Sequence, residues 1–251
     1  MRNKYYSKSL TINVLEKPHK NSNISSQIIY GESFKILSKY KNFYKVKSLY
    51  DNYTGFIAKD IKEDKKFNPT HKIKTLKSKI YIGSENGKKK STSMWLPFGS
   101  NLELIKKNKN FIMFEKNKWI KFNDICSVSS RDINFTKIFK LFLNCPYKWG
   151  GKTFEGIDCS ALVQIYYKYN NKFFPRDTID QVRQKKGIKI KKNFKKGDII
   201  FWKGHVAVCI NSSKLIHAYG PKKKVVIMPI KKTIARIEKT AKLRVKKIFK
   251  I

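Results

Sequence analysis

The chain repeats itself, and that limits what its first half can become. Gly31-Glu32-Ser33-Phe34-Lys35-Ile36-Leu37 leads, twelve residues after the Gly, to Phe43. Sixty-eight residues on, Gly99-Ser100-Asn101-Leu102-Glu103-Leu104-Ile105 leads over the same interval to Phe111. Self-similarity at a fixed period means one small structural unit used twice. In each copy a turn Gly opens an alternating strand, with Phe34 and Ile36 in the first and Leu102 and Leu104 in the second. A Lys/Asn turn follows, then an aromatic strand, Phe43-Tyr44-Lys45-Val46 or Phe111-Ile112-Met113-Phe114. Each copy ends in a further short strand, Gly55-Phe56-Ile57 or Lys118-Trp119-Ile120. Short strands of period two with frequent turn signals predict two small all-β barrels, over residues 1–64 and 70–128. The Lys-Lys and Asn-Pro pairs in Glu63–Thr70 predict a linker between them.

After Ser130 the pattern changes. Ile133–Leu143 reads as a helix with Ile133, Ile138, Leu141 and Phe142 as its apolar positions. A turn-rich loop, Pro146-Tyr147-Lys148-Trp149-Gly150-Gly151, comes next. Leu162, Val163, Ile165, Tyr166 and Tyr169 then predict a helix with one buried face, and Asp158 is a good residue to cap it. A short helix is expected over Ile179–Lys186, capped by Asp177 or Thr178 and stopped by Gly187. Strands are expected at Asp198–Trp202, His205–Ile210 and Lys214–Ala218. Helices followed by strands make an α+β domain over 131–251, and a length of 251 residues suits two or three such units.

Charge is extreme, with 57 Lys+Arg against 17 Asp+Glu and a formal net charge of +40. Only six of the 57 are Arg, and the lysines spread along the whole chain. A nucleic-acid binder uses Arg more heavily for bidentate contacts. The charge therefore reads as composition bias, with weak attraction to anionic polymers as a consequence and no specific nucleic acid expected. A purely charge-driven nucleic-acid binder is the minor alternative. No apolar run approaches the ~18 residues of a membrane span. Met1–Leu15 has no apolar core of a secretory signal. Cytoplasmic location is the expectation, with periplasm or cell envelope as its alternative. Four cysteines, Cys126, Cys145, Cys159 and Cys209, are too few and too scattered for a disulfide framework.

One of those cysteines has a chemical context. Cys159 falls at the head of a helix, where unpaired N–H groups and the macrodipole favour a thiolate. Cys126, Cys145 and Cys209 lack that context and read as packing. His205 follows Gly204 at the opening of a strand, and His217 lies on the next strand across the turn Asn211-Ser212-Ser213. A thiol nucleophile needs a base and a group that orients the base, and His205 and His217 suit those two roles. His19 and His71 fall in the repeats and read as surface residues. Hairpin parity leaves the third role open: a loop of two or four residues opposes Val208 to His217 and turns His217 away from His205. An odd loop or a bulge puts both on one face, offset along the strands. Cys159, Cys209, His205 and His217 could alternatively hold zinc, but closely spaced ligand pairs are absent, so no metal and no cofactor is expected.

The run Cys145-Pro146-Tyr147-Lys148-Trp149-Gly150-Gly151, with Gly156-Ile157-Asp158-Cys159-Ser160-Ala161-Leu162-Val163-Gln164, resembles the NlpC-type bacterial cell-wall cysteine peptidases. Pro175-Arg176-Asp177-Thr178, Gln181, Lys196–Phe201, Gly204-His205-Val206-Ala207 and Leu215-Ile216-His217-Ala218 continue the resemblance over about 90 residues in the same order. Ala161 stands where the family commonly has Gly. The repeats resemble, more weakly, the bacterial SH3 modules that precede such domains. The implied fold is an α+β papain-like cysteine peptidase domain preceded by two small SH3-like barrels. The resemblance implies Cys159 as nucleophile, His205 as base and His217 as orienter on a shared face.

The implied reaction is hydrolysis of the γ-D-glutamyl–diamino-acid bond of peptidoglycan stem peptides. Muropeptides with a free N-terminal L-Ala are the implied substrates. Backbone N–H groups near Cys159 and the Tyr147 hydroxyl would steady the oxyanion. The matching pocket positions are Tyr147, Trp149, Asp158, Ser160, Asp177 and Thr178, with Asp158 and Asp177 expected to meet the cationic amine and Glu32 of the first module to close the pocket. The alternative is a wall-binding module whose papain-like domain is silent or transfers acyl groups.

Overall fold

Turn chemistry organises the first half. Gly31 and Gly99 both sit in the left-handed region, at φ +75° and +76°, where only Gly is unstrained. Each turn closes the same way: the Glu32 N–H donates to the Ile29 carbonyl at 3.0 Å, and the Ser100 N–H to the Pro97 carbonyl at 3.2 Å. The computed structural model describes residues 4–64 and 66–251. The first three residues of the expected 1–64 module, and Lys65 of the expected linker, lie outside the described residues. The chain divides into two compact units, Met1–Arg131 and Asp132–Ile251.

Within the first unit, one antiparallel sheet orders its strands 24–29, 11–15, 54–58, 43–48, 33–40, 4–7 and 63–64. Period-two alternation sends Ile12, Val14, Ile28, Phe34, Val46 and Ile57 into one core. The second repeat copy builds a five-stranded sheet, in the order 90–97, 77–82, 118–121, 111–115 and 106–107. Beside it lies a three-stranded sheet of 101–102, 71–73 and 125–127. Its own core holds Ile73, Ile80, Leu96, Leu102, Ile112, Phe114 and Ile120. The alternating strand expected after Gly99 is only Asn101–Leu102, and Ile105 is half exposed. Leu104 nevertheless packs against the second core, as Ile36 does against the first. Tyr30, beside the first turn Gly, belongs to the second core, and its hydroxyl donates to Glu115 at 2.7 Å.

The second unit is helical first and strand-rich after. Helix α1 spans Phe135–Leu141, capped by Asn134, whose side chain accepts from the Lys137 N–H. This is shorter than expected: Ile133 lies before the cap and is 84% exposed, while Phe135, Ile138 and Phe139 are buried. Helix α2 spans Cys159–Tyr169, and every residue in it but Lys168 is buried. The one-faced helix of the sequence reading is instead a central helix surrounded by protein, which its nearly continuous apolar run allows. Helix α3 is a single turn, Thr178–Gln181, with Asp177 at its cap. It does not reach Lys186, because Gln181 points into the core while Arg183–Lys186 are solvated, so no apolar stripe continues it.

Strands β1 (Asp198–Trp202), β2 (His205–Cys209), β3 (Lys214–Tyr219) and β4 (Lys224–Pro229) precede helix α4 (Ile230–Ala241) and β5 (Lys247–Lys250). They form one antiparallel sheet in the order β4-β3-β2-β1-β5. Ile200, Trp202, Ala207, Cys209, Leu215 and Tyr219 share a core with Ile230 and Ile237 of α4. No helix among the described residues is long and apolar enough to cross a membrane.

Candidate active site

The head of α2 is built around one carboxylate. Asp158 caps the helix: its Oδ1 accepts from the Ala161 N–H at 2.8 Å, from Ser160 Oγ at 3.0 Å and from Arg176 Nη1 at 3.0 Å. Its Oδ2 accepts from the Gly150 N–H at 2.9 Å and from Arg176 Nη2. Gly150 reaches it from the left-handed region, at φ +74°. Both ionic partners are buried, and the bidentate pairing together with the Ala161, Ser160 and Gly150 donors offsets the cost of taking the charges out of water. The Arg176 guanidinium thus already pairs with the carboxylate expected to meet a cationic amine. Ser160 Oγ is likewise engaged, donating to Asp158 and accepting from Arg176 at 2.9 Å.

Cys159 starts α2 and is 4% exposed. Its sulfur lies 4.0 Å from the Gly204 carbonyl oxygen, against the segment that carries His205. Backbone N–H groups of Val206 and Ser160 favour its anion, as a helix head should. Burial and the Asp158 charge outweigh them and push the thiol up to about 12. Burial pushes the His205 imidazole down to about 4. Burial therefore opposes the lowering of the thiol pKa expected from the helix head.

The register of β2 and β3 resolves the parity question. Val208 pairs with Ile216 and Cys209 with Leu215, so the five residues from Ile210 to Lys214 make an odd loop. His205 and His217 therefore share a face with an offset, and His205 Nε2 meets His217 Nδ1 at 2.9 Å. His217 is 1% exposed, stacks on Tyr219 at 4.6 Å between centroids, and turns its Nε2 to Met228 Sδ at 3.3 Å. Trp202 lies against His205 with centroids 5.6 Å apart. Because the two imidazoles bond to each other, their facing nitrogens are occupied. No group of three or more His, Cys, Asp or Glu that could hold a metal occurs among the described residues.

The remaining expected positions fall around these elements or away from them. Tyr147 is half-buried, its ring 3.6 Å from where a Cβ on Gly220 would lie, and burial and the neighbouring Cys159 keep its phenol protonated. Trp149 is 62% exposed. Asp177 and Thr178 head α3, half-buried, on the segment that Gln181 pins by donating to the Ser160 and Pro175 carbonyls at 2.9 Å each. Glu32 lies in the first unit, where its carboxylate accepts from the Ile29 N–H at 2.9 Å and is largely buried.

Sequence reasoning did not single out Arg176 or Met228. Arg176 had a signal: it is one of six Arg in a chain that otherwise uses Lys, and bidentate pairing is what Lys cannot supply. Met228 had none, since its importance appears only in the register of β3 with β4.

Residues 144–244 match the NlpC/P60 family, and residues 14–60 match a bacterial dipeptidyl-peptidase Sh3 domain. The chain is similar to a gamma-D-glutamyl-L-lysine dipeptidyl-peptidase of Bacillus subtilis, 27% identical over 235 residues, covering 84% of this chain and 77% of that one. A protein of the same name from Bacillus cereus is 31% identical over 176 residues, covering 65% of this chain and 49% of its relative; the chain spans about half that relative's length. Among solved structures, an NlpC/P60 family protein from Bacillus cereus superposes with a TM-score of 0.75 at 20% identity, covering 90% of this chain and 94% of the other, a likeness of fold.

Proposed function

We propose that this chain, a peptidoglycan-peptide hydrolase carrying an NlpC/P60 domain at residues 144–244 behind a bacterial SH3 domain, cleaves the γ-D-glutamyl–diamino-acid bond of short muropeptides with a free N-terminal L-Ala. The observation that carries the reading is the placement of Cys159 at the head of α2, its sulfur 4.0 Å from the carbonyl oxygen of Gly204, the residue before His205, with His205 hydrogen-bonded to His217. Relatives named for gamma-D-glutamyl-L-lysine cleavage support the bond chosen. A second SH3-like barrel over residues 70–128 is part of the same proposal. Its support is the matched glycine turn and the separate core of the second repeat copy.

The chemistry starts from neutral partners. As Sγ of Cys159 attacks the γ-carbonyl carbon of D-glutamate, its proton passes to His205. Backbone N–H groups at the head of α2 and the Tyr147 hydroxyl hold the oxyanion; one such donor is worth about 3 kcal/mol of barrier. Collapse expels the diamino acid's amine, which takes the proton from His205 and leaves a thioester on Cys159. Water attacks that thioester with His205 again taking the proton, and collapse releases the γ-carboxylate and restores the thiol. His217 supports the imidazolium that forms twice in the cycle. Asp158 and Asp177 are the proposed contacts for the substrate's amine, and Asp158 also anchors the helix head.

The test is incubation with L-Ala-γ-D-Glu-L-Lys and with its meso-diaminopimelate counterpart, followed by mass analysis. Release of L-Ala-γ-D-Glu from either is the expected result. Recovery of both tripeptides and of longer stems intact would remove the reading.

A further inference from the structure

A thioether sulfur has lone pairs and no proton, so it can only accept a hydrogen bond. Met228 Sδ lies 3.3 Å from His217 Nε2. His217 is 1% exposed, so water does not serve that nitrogen. The contact follows from register: His217 pairs with Val226 across β3 and β4, and Met228, two residues further on the same face, is its diagonal neighbour. A proton on Nε2 satisfies both atoms, whereas a bare Nε2 would set two lone pairs against each other in a buried place.

We propose that Met228 is a positioning residue that sets the tautomer of His217 and, through it, of His205. With its proton on Nε2, His217 has only a lone pair at Nδ1. The 2.9 Å bond between the rings then requires His205 Nε2 to donate. His205 is left with its lone pair on Nδ1, the one nitrogen not committed to His217 and so the one able to take the thiol proton. The opposite tautomer of His217 would donate from Nδ1, draw the His205 lone pair to Nε2 and leave a proton on Nδ1. A thiol would then face a donor in place of a base. The sulfur at the end of the relay has no charge, so it biases the tautomer without raising either imidazole's proton affinity as a carboxylate would.

This inference rests on the reading of Cys159 and His205 as nucleophile and base, but its test has a readout of its own. In the uniformly 15N-labelled full chain, long-range 1H–15N correlation spectra report the tautomer of each histidine directly. We expect Nε2–H at both His205 and His217. Met228→Leu keeps an apolar side chain of similar size, and should bring in a measurable fraction of the Nδ1–H form of His217. Its kcat on L-Ala-γ-D-Glu-L-Lys should fall about threefold to tenfold, the value of one modest hydrogen bond, with KM unchanged. A packing role alone would lower the melting temperature and leave the tautomer where it was. Nδ1–H at His217 in the unaltered protein, or spectra unmoved in Met228→Leu, would overturn the assignment. Expected spectra in a protein that cleaves no tripeptide would uphold Met228 and sink the peptidase reading instead.

Discussion

The two halves of the chain are held by different means. Met1–Arg131 depends mainly on pattern: alternating apolar residues fill its cores, with a few partly buried polar contacts such as Tyr30–Glu115 among them. Asp132–Ile251 depends on identity. Asp158 with Arg176, Gln181 with the Ser160 and Pro175 carbonyls, and His205 with His217 are buried or nearly buried polar partners. A core of alternating apolar residues tolerates drift while its volume is kept, whereas a buried polar network fails when one member is lost. The second repeat copy, with its shortened strand after Gly99, shows how far pattern can drift and still enclose a core.

The largest expected effect separates chemistry from architecture in the second unit. Cys159→Ser should lower kcat/KM by about ten-thousandfold or more while leaving the thermal midpoint nearly unchanged, as read by steady-state kinetics and calorimetry. A variant that keeps a tenth of the activity would place the nucleophile elsewhere. Next comes Arg176→Ala, which strands a buried carboxylate and should cost about 3–5 kcal/mol in urea unfolding. A cost under 1 kcal/mol would show that this half is as tolerant as the other.

Within the first unit the two turn glycines should part company. A Cβ on Gly31 would lie 2.2 Å from the Asn101 carbonyl oxygen, while one on Gly99 meets nothing within 4 Å. Gly31→Ala should cost about 2–4 kcal/mol, combining backbone strain with a clash against main chain. Gly99→Ala should cost only the left-handed strain, about 1–2 kcal/mol. Equal losses would mean that the contact between the repeat copies carries no weight.

The smallest effect is in pH. His205 must be neutral to accept the thiol proton, and burial holds it down at about 4. The acid limb of kcat/KM should therefore lie near pH 4 rather than near the ~6.5 of a free imidazole. Stability follows the same sign. In the window between about 4 and ~6.5 the unfolded chain binds the proton that folded His205 refuses, so stability rises with pH there and is lost as pH falls. His205→Gln should reduce that slope, leaving the part that buried His217, also held well below the ordinary imidazole value, contributes. An acid limb near 6.5 would indicate an open, solvated site.

Much of this division is legible in the sequence. The repeat, the glycine turns and the strands on either side of His205 are local features, set by period-two alternation and turn chemistry. The cap at Asp158 and the placement of Cys159 at a helix head follow from residue type and spacing. What escaped is non-local. Whether α2 has one buried face or is enclosed depends on what surrounds it, and its apolar run suits both. The parity of the β2–β3 hairpin turns on a single loop residue that the Asn-Ser-Ser turn does not specify. The thiol's pKa reverses sign because burial, which no linear stretch reveals, exceeds the pull of the helix head.

Trapping the thioester tests the whole account most directly. Acid quenching within the first turnovers on L-Ala-γ-D-Glu-L-Lys, followed by peptide mapping, should find L-Ala-γ-D-Glu attached to the Cys159 peptide and to none carrying Cys126, Cys145 or Cys209. The adduct should vanish in His205→Gln. Cleavage by Cys159→Ser at an undiminished rate, or an adduct on another cysteine, would contradict it.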